Sequence, residues 1–258
     1  FFLAAICHQT SPVGKRALAG EIDGVMHRGW DYLVHSFRHA AANDRTLLTP
    51  EVWIDMSASR LQTVLDEWIS SPARRAVLVN GLGTGLVSRG WTTIFQANEF
   101  CSGFLMEHTP NLLDLLSDFE AFSDPVQKKS VFFLALMRNS GLWSYADEEK
   151  LPAPVDYHEV RGHLRIGTIN LDDDELARNI VEGVPVSDED DVEIRMVVRD
   201  AIQYIAGAVG NSPNALHYFF WNLFRTYCVR NEPNCDGSRF HDLPNEYKQV
   251  VQRAGSCA

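Results

Sequence analysis

Proline punctuates the turn that leads into the segment PVDYHEVR, with Pro152 and Pro154 fixing the backbone just ahead of Asp156. An aspartate in that position can cap the helix that follows by accepting its first free amides. It can equally present a carboxylate to a cationic transition state. Both readings stand at the level of sequence. Some 30 residues upstream, the stretch DPVQKKSVFFLALM places Lys128 and Lys129 at the opening of a strongly apolar helix. No other segment combines ionisable groups with such an ordered backbone context.

Several further patterns invite chemistry and fall short of it. His158 and His163 lie five apart with Glu159 between them, whereas a zinc-binding helix needs histidines at i and i+4. No metal site is expected. Cys228 and Cys235 in YCVRNEPNC match the first half of an iron–sulfur loop, but the second half is missing, since position 238 is Ser and position 244 is Pro. A cluster normally needs four thiolates, so none is expected, and Cys257 would be only a third. Cys7 and His8 lack an orienting partner for thiol catalysis. The run Gly81-Leu82-Gly83-Thr84-Gly85 suggests a dinucleotide loop, but Leu86 stands where the fingerprint needs glycine. It reads instead as a flexible loop between helices. The reaction chemistry of this chain is expected to need no cofactor and no metal.

The elements that must position Asp156 and the lysines read almost entirely as helix. Apolar residues recur at helical spacing over Gly29–Ala42 (Trp30, Leu33, Val34, Phe37), Ser57–Ile69 and Asn111–Phe122. Further helices are expected over Gln127–Met137, Asp174–Glu182, Asp190–Val209 and the aromatic-rich Asn214–Val229. Thr49-Pro50-Glu51 has the form of an N-cap, an N1 proline and an acidic first turn. The acidic stretch SDEDDVE reads as a helix start, with Ser187 and Asp190 at capping-box spacing. Only Ala76–Val79 and Arg165–Asn170 suggest strands. The expected fold class is all-α, a single domain or two lobes of about 1–110 and 111–258.

Composition bounds the partners. The chain has 258 residues, 34 acidic and 23 basic, for a formal charge of −11. An extended duplex-DNA footprint needs a basic face, so charge disfavours DNA without excluding a local pocket for one phosphate. Five cysteines, an odd number, suggest no disulfide framework and point to a reducing, cytoplasmic setting. No apolar run approaches the roughly 20 residues of a membrane helix, so no membrane partner is expected. The opening FFLAAICHQT lacks a basic region, which argues against a signal peptide.

At this point the sequence resembles two related families. Lys129, followed eight residues later by Met137 and then by PVDYHEVR, resembles the catalytic segment of the helix-hairpin-helix glycosylase superfamily. There a lysine opens a helix and an aspartate sits in a similar turn. Lys129 matches the lysine, with Lys128 the register alternative, and Asp156 the aspartate. A resemblance of wider span is to the queuosine salvage proteins. GWDYLVHSFRHAAANDRTLLTPEVW, VQKKSVFFLALM, PVDYHEVRGHLRIG, LARNIVEGVPVSDEDDVEIR and HYFFWNLFR are similar to stretches of that family in the same order, over roughly residues 27–225. Two departures qualify it. The family's N-terminal aromatic signature is replaced here by AAICHQTSPVGK, which leaves base specificity open. The hairpin glycines of the DNA glycosylases are replaced by Asp124-Pro125-Val126-Gln127, which weakens the duplex-DNA reading.

The resemblance implies a helix-hairpin-helix glycosylase-like, bilobal architecture with a cleft between lobes. It implies hydrolysis of the N-glycosidic bond of a 7-deazaguanine (queuosine-type) nucleotide or nucleoside. Asp156 would stabilise an oxocarbenium-like transition state and direct water. Lys129 would supply a compensating cation, bind a 5′-phosphate, or attack the sugar as an amine. Trp30, Tyr157 and Trp221 are candidates to stack on the base, though core packing explains each. Arg161 and Arg165, one turn apart on a helix, are candidates to hold phosphate, though an ion-paired helix face explains them equally. A DNA glycosylase acting on a damaged or modified base, with or without lyase activity, is the alternative. A non-catalytic base-binding module is the third reading.

Overall fold

The computed structural model describes residues 1–10 and 16–229. Cys235 and Cys257, and with them the half iron–sulfur loop and any third thiolate, lie outside the described residues. Among the described residues the chain is mostly helical, with twelve α-helices and one two-stranded hairpin. No described helix is long and apolar enough to cross a membrane.

The chain divides into two compact units. The first comprises Phe1–Asp124 and Phe132–Glu148, the second Pro125–Val131 and everything from Glu149 onward. In the first unit, α1 (Phe2–Ile6) is followed by β1 (Ala19–Ile22) and β2 (Val25–Arg28), paired antiparallel with Ala19 opposite Arg28 and Ile22 opposite Val25. The hairpin turns on Asp23 and Gly24, both in left-handed backbone at φ 53° and 78°. That geometry suits Asp-Gly and matches strand twist. Then come α2 (Gly29–Asn43), α3 (Pro50–Ile54), α4 (Ala58–Val64), α5 (Pro72–Ser88), α6 (Phe95–Phe100) and α7 (Leu112–Ser117). The core of this unit is aromatic. Phe1 stacks on Phe122, Phe2 stacks on Phe37, and Trp53 meets Phe2 edge-on.

Helix α8 (Lys128–Asn139) belongs to both units: its first turn groups with the second and the rest with the first. The second unit continues with α9 (Tyr157–Arg165), α10 (Asp174–Glu182), α11 (Asp188–Val209) and α12 (Pro213–Thr226). Its core joins Val126, Ala153 and Val155 to Ile194, Val198 and Ile202 of α11, with Val160 and Leu164 of α9 packed alongside. Ser187 caps α11 as expected: its Oγ accepts from the Asp190 amide at 3.0 Å, while the Asp190 carboxylate accepts from the Ser187 hydroxyl at 2.6 Å rather than from its backbone amide.

Three sequence expectations are corrected here. Ala76–Val79 is not a strand and the Gly81–Gly85 run is not a loop; both lie inside α5. Two of the three glycines pack closely. A Cβ on Gly83 would stand 2.6 Å from the Pro50 carbonyl oxygen in α3, and one on Gly85 would stand 2.4 Å from the Phe119 ring. Small residues let α5 seat directly on α3, and the helix tolerates the intrinsic cost of about 1 kcal/mol per glycine. Nor is Arg165–Asn170 a strand: Arg165 ends α9, and the chain turns through Gly167 in left-handed backbone at φ 71°. The expected helices at 57–69 and 111–122 are also shorter, ending at Val64 and Ser117, the latter followed by a 3-10 turn at Glu120–Phe122.

Candidate functional site

The candidate site is built on the N-terminus of α9. Asp156 is its N-cap: Oδ1 accepts from the amides of His158 at 2.8 Å and Glu159 at 3.3 Å. The backbone at Asp156 is extended, as an N-cap requires. The second oxygen is drawn the other way. Oδ2 accepts from the indole nitrogen of Trp221 on α12 at 3.1 Å. Asp156 is thus oriented at both oxygens while remaining half-exposed. The capping role expected from sequence is present, and it does not consume the carboxylate's access to solvent.

An imidazole and a guanidinium lie beside it. The His158 imidazole lies beside Asp156, and its Nδ1 faces an Arg161 guanidinium nitrogen at 2.9 Å. Burial pushes the His158 pKa down from 6.5. Asp156 works against that shift, and Arg161, Arg225 and Lys128 reinforce it. Arg225 sits over the Trp221 ring, 4.7 Å from its centre, which covers one indole face with a cation. Tyr157 is 64% exposed, with His158 against its ring at 4.1 Å and the Arg161 guanidinium 5.7 Å from its centre.

The structure thus brings together Asp156, Tyr157, Arg161 and Trp221 on two contacting helices of the second unit. Lys129 lies in the first turn of α8, half-buried and within that same unit. Trp30 belongs to the first unit, where it packs edge-on against Phe132 at 5.2 Å. The arginines are placed differently from the phosphate-holding pair that sequence suggests. Arg165 is buried, and its guanidinium donates to the carbonyls of Cys228 at 3.2 Å and Val229 at 2.6 Å. Arg161 also donates to the Cys228 carbonyl, at 2.8 Å, and burial followed by the Arg165 charge lowers its pKa. Both arginines tie down the carbonyl-rich end of α12, where cations are favoured.

Sequence reading misses one constellation outright. Glu159, one helical turn into α9, is fully buried between two imidazoles: His217 Nδ1 lies 2.6 Å from Oε1, and His163 Nε2 lies 3.5 Å from Oε2. The i,i+4 spacing of Glu159 with His163, and of His217 with Trp221, is the signal that marks them as sharing helix faces. Sequence reading weighs His163 only as a metal ligand. Among the described residues no cluster of His, Cys, Asp and Glu has the arrangement to hold a metal ion. Elsewhere, Cys7 donates its thiol to the Ala4 carbonyl at 3.2 Å, a local helix-end contact.

No protein-family model matches the sequence, and no curated protein matches it.

Proposed function

We propose that the chain is an N-glycosylase that hydrolyses the bond between a purine-type base, of the 7-deazaguanine kind, and the sugar of a nucleotide or nucleoside. The observation that carries this reading is Asp156: a solvent-accessible carboxylate oriented by two helix amides and one indole, with the Arg161 guanidinium and the His158 imidazole nearby. A carboxylate so placed can take a proton from water while the hydroxyl adds to C1′ of the sugar. The C1′–N bond breaks, the departing base takes up a proton, and no cofactor is required. The same carboxylate offsets positive charge on the sugar ring in the transition state. Lys129 is the proposed cation, and Tyr157, the exposed aromatic beside Asp156, is the proposed stacking surface. A helix-hairpin-helix glycosylase-like arrangement belongs to this proposal, as do the residue resemblances at Lys129 and PVDYHEVR. The acidic charge of −11 favours a free nucleotide over duplex DNA.

A second reading has an observation of its own. Both oxygens of Asp156 already serve structure, one as helix cap and one as indole acceptor. A base-binding module with no catalysis would keep the same geometry.

The test is base release read by mass spectrometry from queuosine, its 5′-monophosphate, ordinary nucleotides, and oligonucleotides with oxidised or deaminated bases. Release from a mononucleotide, lost in Asp156→Asn, is the expected result. Release only from oligonucleotides, with a borohydride-trappable adduct that Lys129→Ala abolishes, would replace it with a DNA glycosylase. Tight binding of one base without release would replace it with the binding module.

A further inference from the structure

Helices α9 and α12 are joined by two polar rungs one turn apart. The outer rung is Asp156 Oδ2 to Trp221 Nε1 at 3.1 Å. The inner rung is Glu159 Oε1 to His217 Nδ1 at 2.6 Å. On α9 the two carboxylates are three residues apart, and on α12 the two partners are four apart. One register of the helix pair therefore closes both rungs at once. Between them the contact is tight. A Cβ on Gly162 would stand 2.1 Å from the Phe224 ring, and His163 meets Phe220 and Phe224 edge-on at 4.7 and 5.2 Å.

The inner rung is a costly choice on stability grounds. Glu159, His163 and His217 are sealed from water, with side-chain exposures of 0%, 0% and 6%. Neither Glu159 oxygen receives a well-directed hydrogen bond from either ring. Two polar atoms 2.6 Å apart in a sealed site need a proton between them, so the pair is polar whatever its net charge. Apolar residues of similar volume are often as stable or more so at such a place, and the best-attested use of a buried polar pair is to fix register. Glu159 is also at the N3 position of α9, where a glutamate ordinarily reaches back to the cap amide. Here it is turned into α12 instead.

We infer that Glu159 and His217 are positioning residues for Asp156: their rung sets the register of α12 on α9, and that register places the Trp221 indole on the Asp156 carboxylate. The part of this inference that concerns activity rests on the N-glycosylase reading; the part that concerns geometry does not. His163 on α9 faces the rung from the same helix, and the Phe220 and Phe224 rings of α12 close against His163.

The test reads the indole directly. Among six tryptophans, the Trp221 indole N–H resonance is assigned by its loss in Trp221→Phe, and Asp156→Ala gives its position without the carboxylate. Glu159→Gln replaces the carboxyl group with an amide of the same shape, so the fold is retained, and its Trp221 resonance moves part of the way to the Asp156→Ala position. Glu159→Met and His217→Leu move it further. Base release in these variants falls about 10-fold to 100-fold in kcat with KM unchanged, because a misplacement of roughly 1 Å costs on that order. A Trp221 resonance that stays at its wild-type position in the folded Glu159 variants overturns the inference. Should Glu159→Met and His217→Leu not fold, Glu159→Gln decides alone. A resonance that moves in a protein releasing no base from any substrate leaves the positioning intact and removes the catalytic reading.

Discussion

Two aspartates, one in each unit, gather backbone amides in similar ways and differ in everything around them. Asp147, in the first unit, is buried and accepts from the amides of Leu105 at 2.7 Å and of Met106 and Glu107 at 3.0 Å each. Burial works to raise its pKa, and the three amides outweigh it, leaving the carboxyl below its ordinary 3.8. Asp156 takes two amides and an indole, is half-exposed, and acts electrostatically on His158 and Arg161 beside it. The first carboxylate has its acceptors committed to knitting a loop. The second is held as firmly yet keeps one side toward water. Fixed orientation combined with access is what separates a group able to do chemistry from one that only satisfies buried donors.

Exchanging each for its amide breaks the comparison most sharply. Asp156→Asn keeps an oxygen for the α9 cap but turns an amide donor toward the half-exposed Trp221 indole, so unfolding stability falls by about 1 kcal/mol. Base release falls about 10³-fold, as expected for loss of a proton-accepting carboxylate. Asp147→Asn does the reverse. It sets an amide donor against a nest of backbone donors and costs about 3 kcal/mol in urea unfolding, with the turnover of the folded fraction unchanged. Because the folded Asp147 carboxyl lies below 3.8, its contribution is complete above that pH and disappears as pH falls through the folded value. If Asp147→Asn abolished base release without loss of stability, the roles assigned to the two aspartates would be wrong.

The sequence carries much of the second aspartate and little of the first. Pro152 and Pro154 before Asp156, and a helical pattern after it, make the cap legible, because capping is a local event decided within four residues. Asp147 gives no such signal, since its donors lie about 40 residues away, at Leu105–Glu107. The partners of Asp156 follow the same rule. Tyr157 and Arg161 are near in sequence and could be proposed, whereas His217 and Arg225 come from a helix some 60 residues on. Trp221 was accessible only as an aromatic, not as the donor to Oδ2. The helices of strong period, 174–182 and 190–209, were readable, but Ala76–Val79 with its glycine run was not. An apolar tetrad followed by glycines looks like strand and loop until packing against Pro50 and Phe119 explains it. The hairpin had a local signal in Asp23-Gly24, and the scarcity of flanking β-branched residues concealed it.

Gly162→Ala sharpens the comparison by attacking the helix pair beneath Asp156 while leaving the Asp147 loop untouched. The added carbon would lie inside the Phe224 ring contact, so α12 must shift. A loss of about 2 kcal/mol is expected, typical of overpacking, with base release reduced in parallel. Stability lost without any change in turnover would mean that the α9–α12 contact does not set the site. Trp221→Phe is milder. It removes the indole donor to Asp156 Oδ2 and should cost about 1 kcal/mol of transition-state stabilisation, or roughly fivefold in kcat/KM. The indole's protection from hydrogen exchange in the parent protein gives an independent check.

The smallest effect concerns His158, which has no counterpart beside Asp147. Its folded pKa lies below 6.5, chiefly through burial, so between that folded value and 6.5 the unfolded chain binds more protons than the folded one. Stability from this residue is therefore complete above pH 6.5 and declines as pH falls through that window, and His158→Gln should flatten the slope of the urea midpoint there. The neighbours can be separated by the same titration followed at the His158 ring proton. Asp156 opposes the shift, so Asp156→Asn drives the pKa lower still. Arg225 reinforces it, so Arg225→Ala lets it rise toward 6.5. A His158 that titrates above 6.5, or that is indifferent to both substitutions, would mean that the cations and the carboxylate do not act on one another. The contrast with Asp147 would then rest on exposure alone.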